Sequence, residues 1–165
     1  MFSKLLAIFI VIGSLAAVPV YTCAAEPDAP HQGIALSPDL LDLLRAEMRE
    51  IAGGVQGIAL SLATADWMSI QETSTQIRGS YIMEKKLTAA QKNELEQALP
   101  GHFRQLDAAF HQRAERLGEA AAARDPELVA FHYSRLIESC ALCHSAYAKS
   151  RFPGFSPPAP QGHHH

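Results

Sequence analysis

From Leu41 onward, apolar residues recur at alternating steps of three and four: Leu41, Leu44, Met48, Ile51, Val55, Ile58 and Leu62. That is the seam of a helix with one face turned to a core. Ser37-Pro38-Asp39 starts it with a capping hydroxyl, a proline at the first helical position and an acid in the first turn. Gly53 and Gly57 lie four apart on this helix, where glycine costs stability and is repaid by close approach of a neighbour. Asp66 caps a second helix with seam Trp67, Ile70, Ser74, Ile77 and Tyr81. Thr88 and Gln91 have capping-box spacing and predict a short helix to Leu99. Pro100-Gly101 punctuates the chain before a third long helix with Phe103, Leu106, Phe110, Ala114 and Leu117. Asp125-Pro126-Glu127 opens a fourth, with Val129, Tyr133, Leu136, Cys140, Cys143 and Tyr147, which Pro153-Gly154 stops. No segment alternates as a strand would. Four long helices on short links predict an all-α, antiparallel four-helix bundle over 37–155.

The flanks read differently. Residues 1–25 carry Lys4, an apolar run from Leu5 to Val20, and small residues before Glu26, the pattern of a cleaved export signal. The run is short for a membrane span, and Thr22 and Tyr21 do not suit a lipid anchor on Cys23. Residues 26–36 read as a flexible lead-in and 156–165 as a disordered tail, whose His163–His165 receive no role. The expected location is therefore the periplasm, with no stable membrane insertion after cleavage.

Composition then limits the partners. The chain has 165 residues, 48% hydrophobic and 19% charged, which fits one packed domain. Loss of Lys4 takes the 14 basic residues to 13 against 17 acidic, a formal −4, so there is no basic footprint for nucleic acid. Cleavage also removes Cys23 and leaves one close pair, Cys140 and Cys143.

That pair belongs to Cys140-Ala141-Leu142-Cys143-His144, a C-x-x-C-H run, the attachment signature of c-type haem. Two thiols at this spacing add to the two vinyl groups of one haem, and the next imidazole binds iron at one axial position. A redox dithiol of this spacing normally opens a helix in a βαβ setting, whereas this one lies late in an all-helical chain. Half of a zinc site lacks a second ligand pair at the usual spacing. No phosphate loop, nucleophile elbow or paired-carboxylate arrangement suggests an enzyme.

The motif's place in the last helix narrows the reading. With Arg45 and Met48 in the first helix, glycines at 53, 54 and 57, and Cys140–His144 followed by Tyr147, the chain resembles the cytochrome c′ family and its low-spin class II relatives. The resemblance covers roughly residues 37–155. It implies one covalently bound haem c near the C-terminus of the last helix, with His144 as proximal ligand. It also implies a distal wall from the first helix and pairing into a homodimer. Arg45 is a candidate partner for a haem propionate through its guanidinium, as against an exposed helix charge, and Tyr147 a candidate haem-wall aromatic, as against simple core. Two departures stand out. The family often has a basic residue after the aromatic, where this chain has Ala148. Its distal residue lies four after the arginine, at Arg49, whereas the apolar seam points to Met48.

The other face of the iron decides between two functions. With Met48 on iron, the protein is an electron carrier that meets periplasmic redox proteins. With Met48 only shielding an open site, it binds diatomic gases such as nitric oxide or carbon monoxide.

Overall fold

The computed structural model describes residues 33–156. The expected signal over 1–25, the lead-in before residue 33 and the tail after Ser156 lie outside the described residues. The described residues are helical and contain no strand. The helices are α1 (Pro38–Ala63), α2 (Trp67–Arg78), α3 (Met83–Lys86), α4 (Ala89–Ala98), α5 (Gly101–Ala122) and α6 (Pro126–Tyr147), followed by a 3-10 turn at Pro153–Phe155.

The local signals place most of these ends. Pro38 stands at the first position of α1 and Pro126 at that of α6. The Asp125 carboxylate accepts the amides of Glu127 and Leu128, and Asp66 accepts that of Ser69. Such caps satisfy amides that a helix start leaves unpaired. Thr88 and Gln91 form the reciprocal capping box at α4. Ser37 departs from expectation: it precedes α1, but its hydroxyl and amide both donate to Glu94 of α4. The Ser37 bonds thus tie the otherwise exposed α4 to the start of α1.

Each long helix packs on its neighbours, α1 on α2, α2 on α5, α5 on α6 and, more sparingly, α6 on α1. Ser74 lies against Gly118 while Ile77 meets His111, so α2 and α5 run antiparallel. Arg113 bonds Ser139 while Phe103 meets Tyr147, so α5 and α6 do too. The core joins Ile51, Val55, Ile58, Ile70, Ile77, Ala114, Leu117, Ala120, Ala121, Val129 and Leu136. A fully buried leucine or isoleucine there contributes roughly 1.5–3 kcal/mol.

Two seam expectations need correction. The second helix ends at Arg78, and Tyr81 sits in a turn entered through Ser80, whose φ of 54° breaks the helix. In the first half of α1 the buried stripe runs through Leu40, Glu47 and Ile51, one residue off the Leu41–Met48 register. The cause is non-local. The Glu47 carboxylate accepts the amides of Tyr81 at 2.9 Å, Ile82 at 2.5 Å and Met83 at 3.3 Å, so an acid occupies the inner position. The glycines are likewise reassigned. A Cβ at Gly53 or Gly57 meets nothing within 4 Å, while one at Gly54 would stand 2.5 Å from the Tyr81 hydroxyl. The close approach on α1 is therefore at Gly54.

Candidate functional site

The closed core occupies one half of the molecule. It takes in α1 from Ile51, all of α2, α5 from Phe110 and α6 up to Leu136. In the other half, only Leu40, Ile82 and Tyr147 are buried hydrophobics. There Leu41, Leu43, Leu44, Phe103 and Leu106 are half-buried, and Met48 and Ile137 are about 40% exposed, at 40% and 41%. The reason is partly topological. α2 stops at Arg78, and the short α3 and the peripheral α4 follow it where α1, α5 and α6 continue.

The C-x-x-C-H run lies on α6 in this open half. Val129, Leu136 and Tyr147 mark the buried stripe of α6, and Tyr133, Cys140 and Cys143 fall along it half-buried. Helical spacing of three and four carries both thiols onto one face. Burial pushes both thiols up, Cys143 to about 11, with the Asp107 carboxylate adding to the effect there. Both are neutral thiols at neutral pH. A dithiol that works through a ready thiolate needs the opposite shift.

His144 follows on the flank that Ile137 shares, seven residues earlier. Burial lowers its pKa, so its imidazole is neutral at neutral pH, with a nitrogen lone pair available for iron. Its ring stacks on Phe152 at 4.6 Å between centroids and 23° between planes. That contact arises because Arg151 and Phe152 donate their amides back to Ala148 and fold the chain onto the end of α6. Sequence periodicity has no signal for Phe152, which lies beyond the helix.

The other expected residues are placed as follows. Met48 stands beside the buried stripe of α1, next to Glu47, and is 40% exposed. Arg45 is exposed and bonds Asp42 at 3.2 Å, a surface pair worth about 0–1 kcal/mol. Tyr147 is buried against α5, its hydroxyl 3.1 Å from Nδ1 of His102 and its ring edge-on to Phe103 at 5.3 Å. The structure thus brings Cys140, Cys143 and His144 together and sets Tyr147 against α5.

Two polar features were missed by the seam reading. One is Glu47. The other is the pair of His111 and Asp107 on α5, with Nε2 of His111 3.5 Å from the carboxylate and Nδ1 2.8 Å from the Ile77 carbonyl. A lone acid at i+7 from Leu40, in a stripe otherwise apolar, was the available hint for Glu47.

Among the described residues, no group of three or more His, Cys, Asp or Glu side chains is placed to hold a metal ion. A haem iron needs no such cluster, since the porphyrin supplies four of its ligands. Nor is any helix among them long and apolar enough to cross a membrane. Comparison with protein-family models, with curated proteins and with solved structures gave no match.

Proposed function

We propose that this chain is a periplasmic mono-haem c-type cytochrome that carries electrons, not an enzyme. One observation carries the reading. The C-x-x-C-H run stands on the inner face of α6 in the half of the molecule whose apolar side chains are left half-exposed. A flat apolar group held there would take the Leu44, Met48 and Ile137 surface out of water. The residues present fit haem c. Cys140 and Cys143 would hold it through thioether links, and His144 would bind its iron. Bound there, the haem supplies a one-electron ferric–ferrous couple whose potential follows its ligands and burial.

The chain's own residues do the rest. Phe152 fixes the plane of the His144 ring. The closed core holds α1 and α6 in register through the Tyr133 hydroxyl, which donates to the Val55 carbonyl at 3.1 Å. We assign α1, α2, α5 and α6 to an antiparallel four-helix bundle. Met48 then stands seven residues before Val55 and Cys140 seven after Tyr133. Both shifts are about 10 Å along antiparallel axes, which brings Met48 level with the motif. Met48 is the proposed sixth ligand, and Arg45, one turn before it, the proposed propionate partner. Periplasmic redox proteins are the proposed partners, met by a chain of mild negative charge.

A second reading is favoured by one observation: Met48 lies beside the inner stripe, not on it. If it only shields the iron, the protein binds diatomic gases such as nitric oxide or carbon monoxide. The test is the visible spectrum of protein expressed with a haem-attachment system, ferric and ferrous, before and after carbon monoxide. Sharp ferrous bands indifferent to the gas support the electron carrier. High-spin bands that sharpen with the gas support the second reading. Absence of haem bands overturns both.

A further inference from the structure

His111 is half-buried on α5, and its two ring nitrogens have different work. Nδ1 lies 2.8 Å from the Ile77 carbonyl, which can only accept, so Nδ1 carries a proton in either charge state. Nε2 faces Asp107 at 3.5 Å. In the neutral ring this points a lone pair at a carboxylate; in the charged ring it points a proton there. The next proton therefore goes to Nε2. The charged groups that face His111 are Asp107 on its own helix and Glu47 from α1, both negative. α2 presents the Ile77 carbonyl. From α6, Cys143 lies within the electrostatic reach of Asp107. Arg113 bonds Ser139 and Phe103 meets Tyr147, so the antiparallel register of α5 and α6 sets Asp107 level with Cys143, the cysteine of the C-x-x-C-H run nearest the iron ligand in sequence.

We propose that His111 and Asp107 form a proton-uptake site that couples electron transfer in this protein to protonation. The proposal rests on the haem reading above. With haem bound, reduction by a one-electron donor protein would leave the site with one positive charge fewer. Nε2 of His111 would then take up a fraction of a proton from solvent, at most about half for a tenfold change in affinity, and restore part of that charge. On reoxidation the electron leaves and that fraction returns to solvent. In a medium of effective dielectric constant ~20, a unit change of charge alters proton affinity tenfold when it lies within roughly 12 Å, and the titration below reads whether it does. By linkage the proton alters the electron affinity by the same factor. The protonated pair favours the ferrous form, so the potential is higher in acid and falls as pH rises. Asp107 keeps His111 protonated to higher pH than an isolated histidine, its hydrogen bond outweighing the opposing effect of burial. This places the coupling near neutral pH and above.

The test is a potentiometric titration of the haem-loaded protein from about pH 5 to pH 9, with the visible spectrum recorded at each point. The wild type should show a potential that falls by up to about 59 mV overall, the one-electron equivalent of a tenfold change. His111→Gln, whose amide can still donate to Ile77, should flatten this fall. Asp107→Asn leaves the Ile77 bond in place and should move the fall to lower pH, a shift that a merely structural role would not produce. A wild-type potential independent of pH overturns the proposal, as does a fall retained in His111→Gln or unshifted in Asp107→Asn. Haem bands with a flat potential refute proton coupling alone, and absence of haem bands refutes the electron carrier and this site with it.

Discussion

Replacing Glu47 by alanine tests how the open half of the molecule is held together. The side chain is 3% exposed and is the common acceptor for three amides of the turn that follows α2. The Ile82 amide is buried, and loss of a charged acceptor there costs about 1.5–3 kcal/mol. The Tyr81 and Met83 amides are half-buried and regain water in part, so each adds roughly 0.5–1 kcal/mol. Relief of the carboxylate's own desolvation offsets some of this, which leaves a net loss of roughly 3 kcal/mol. For a domain of this size that lowers Tm by roughly 10 °C. Glu47→Gln keeps one acceptor oxygen and should lose about half as much. Urea and thermal unfolding, followed by circular dichroism, measure both. A loss below 1 kcal/mol for Glu47→Ala, or an equal loss for the two variants, would refute the account of Glu47 as the anchor of this turn.

Three further outcomes follow from the same structure. Gly54→Ala should destabilise by about 1–3 kcal/mol, because its methyl would meet Tyr81 and Thr73, while Gly53→Ala should stabilise by up to about 1 kcal/mol; paired urea midpoints decide this, and a similar sign for both is the contrary result. His111 has a folded pKa raised above its unfolded value, chiefly by Asp107, so its stabilisation is full below about pH 6.5 and is lost as pH rises through the folded value. The stability gap between wild type and His111→Gln should therefore shrink from pH 5.5 to pH 8.5, and a widening gap contradicts the assignment. Met48→Ala should turn a low-spin haem spectrum high-spin, and an unchanged low-spin spectrum eliminates Met48 as ligand.

Much of the helical framework was legible because its signals are local. Pro38 and Pro126, the Asp66 and Asp125 caps and the Thr88–Gln91 box each act within one turn, and each marks an observed helix start. The stripe of α6 was legible for the same reason, since Val129, Leu136 and Tyr147 keep regular spacing. What failed depended on partners distant in the chain. Nothing near residue 47 announces that amides 34 to 36 positions later will turn toward it. The seam rule, which ranks residues by apolarity, therefore preferred Met48. The end of α2 was misread because Tyr81 continues the apolar rhythm, although Ser80 has already left helical space. At the candidate site, the order Cys140, Cys143, His144 is visible in one glance at the sequence. The stacking of Phe152 on His144 depends on a reversal beyond the helix, and the pairing of His111 with Ile77 on two separate helices.

The uneven core has a consequence for how the chain matures. Amide protons exchange slowly where opening must breach a continuous apolar cluster and quickly where it need not. The Ile51–Leu136 half therefore forms a cooperative unit of its own, while the segment from Ile137 to Phe155 opens at lower free energy. On the proposed haem reading, the enzyme that attaches the group would reach Cys140 and Cys143 through this segment. One half would then serve as a folded handle while the other opens for that attachment, without full unfolding of the chain.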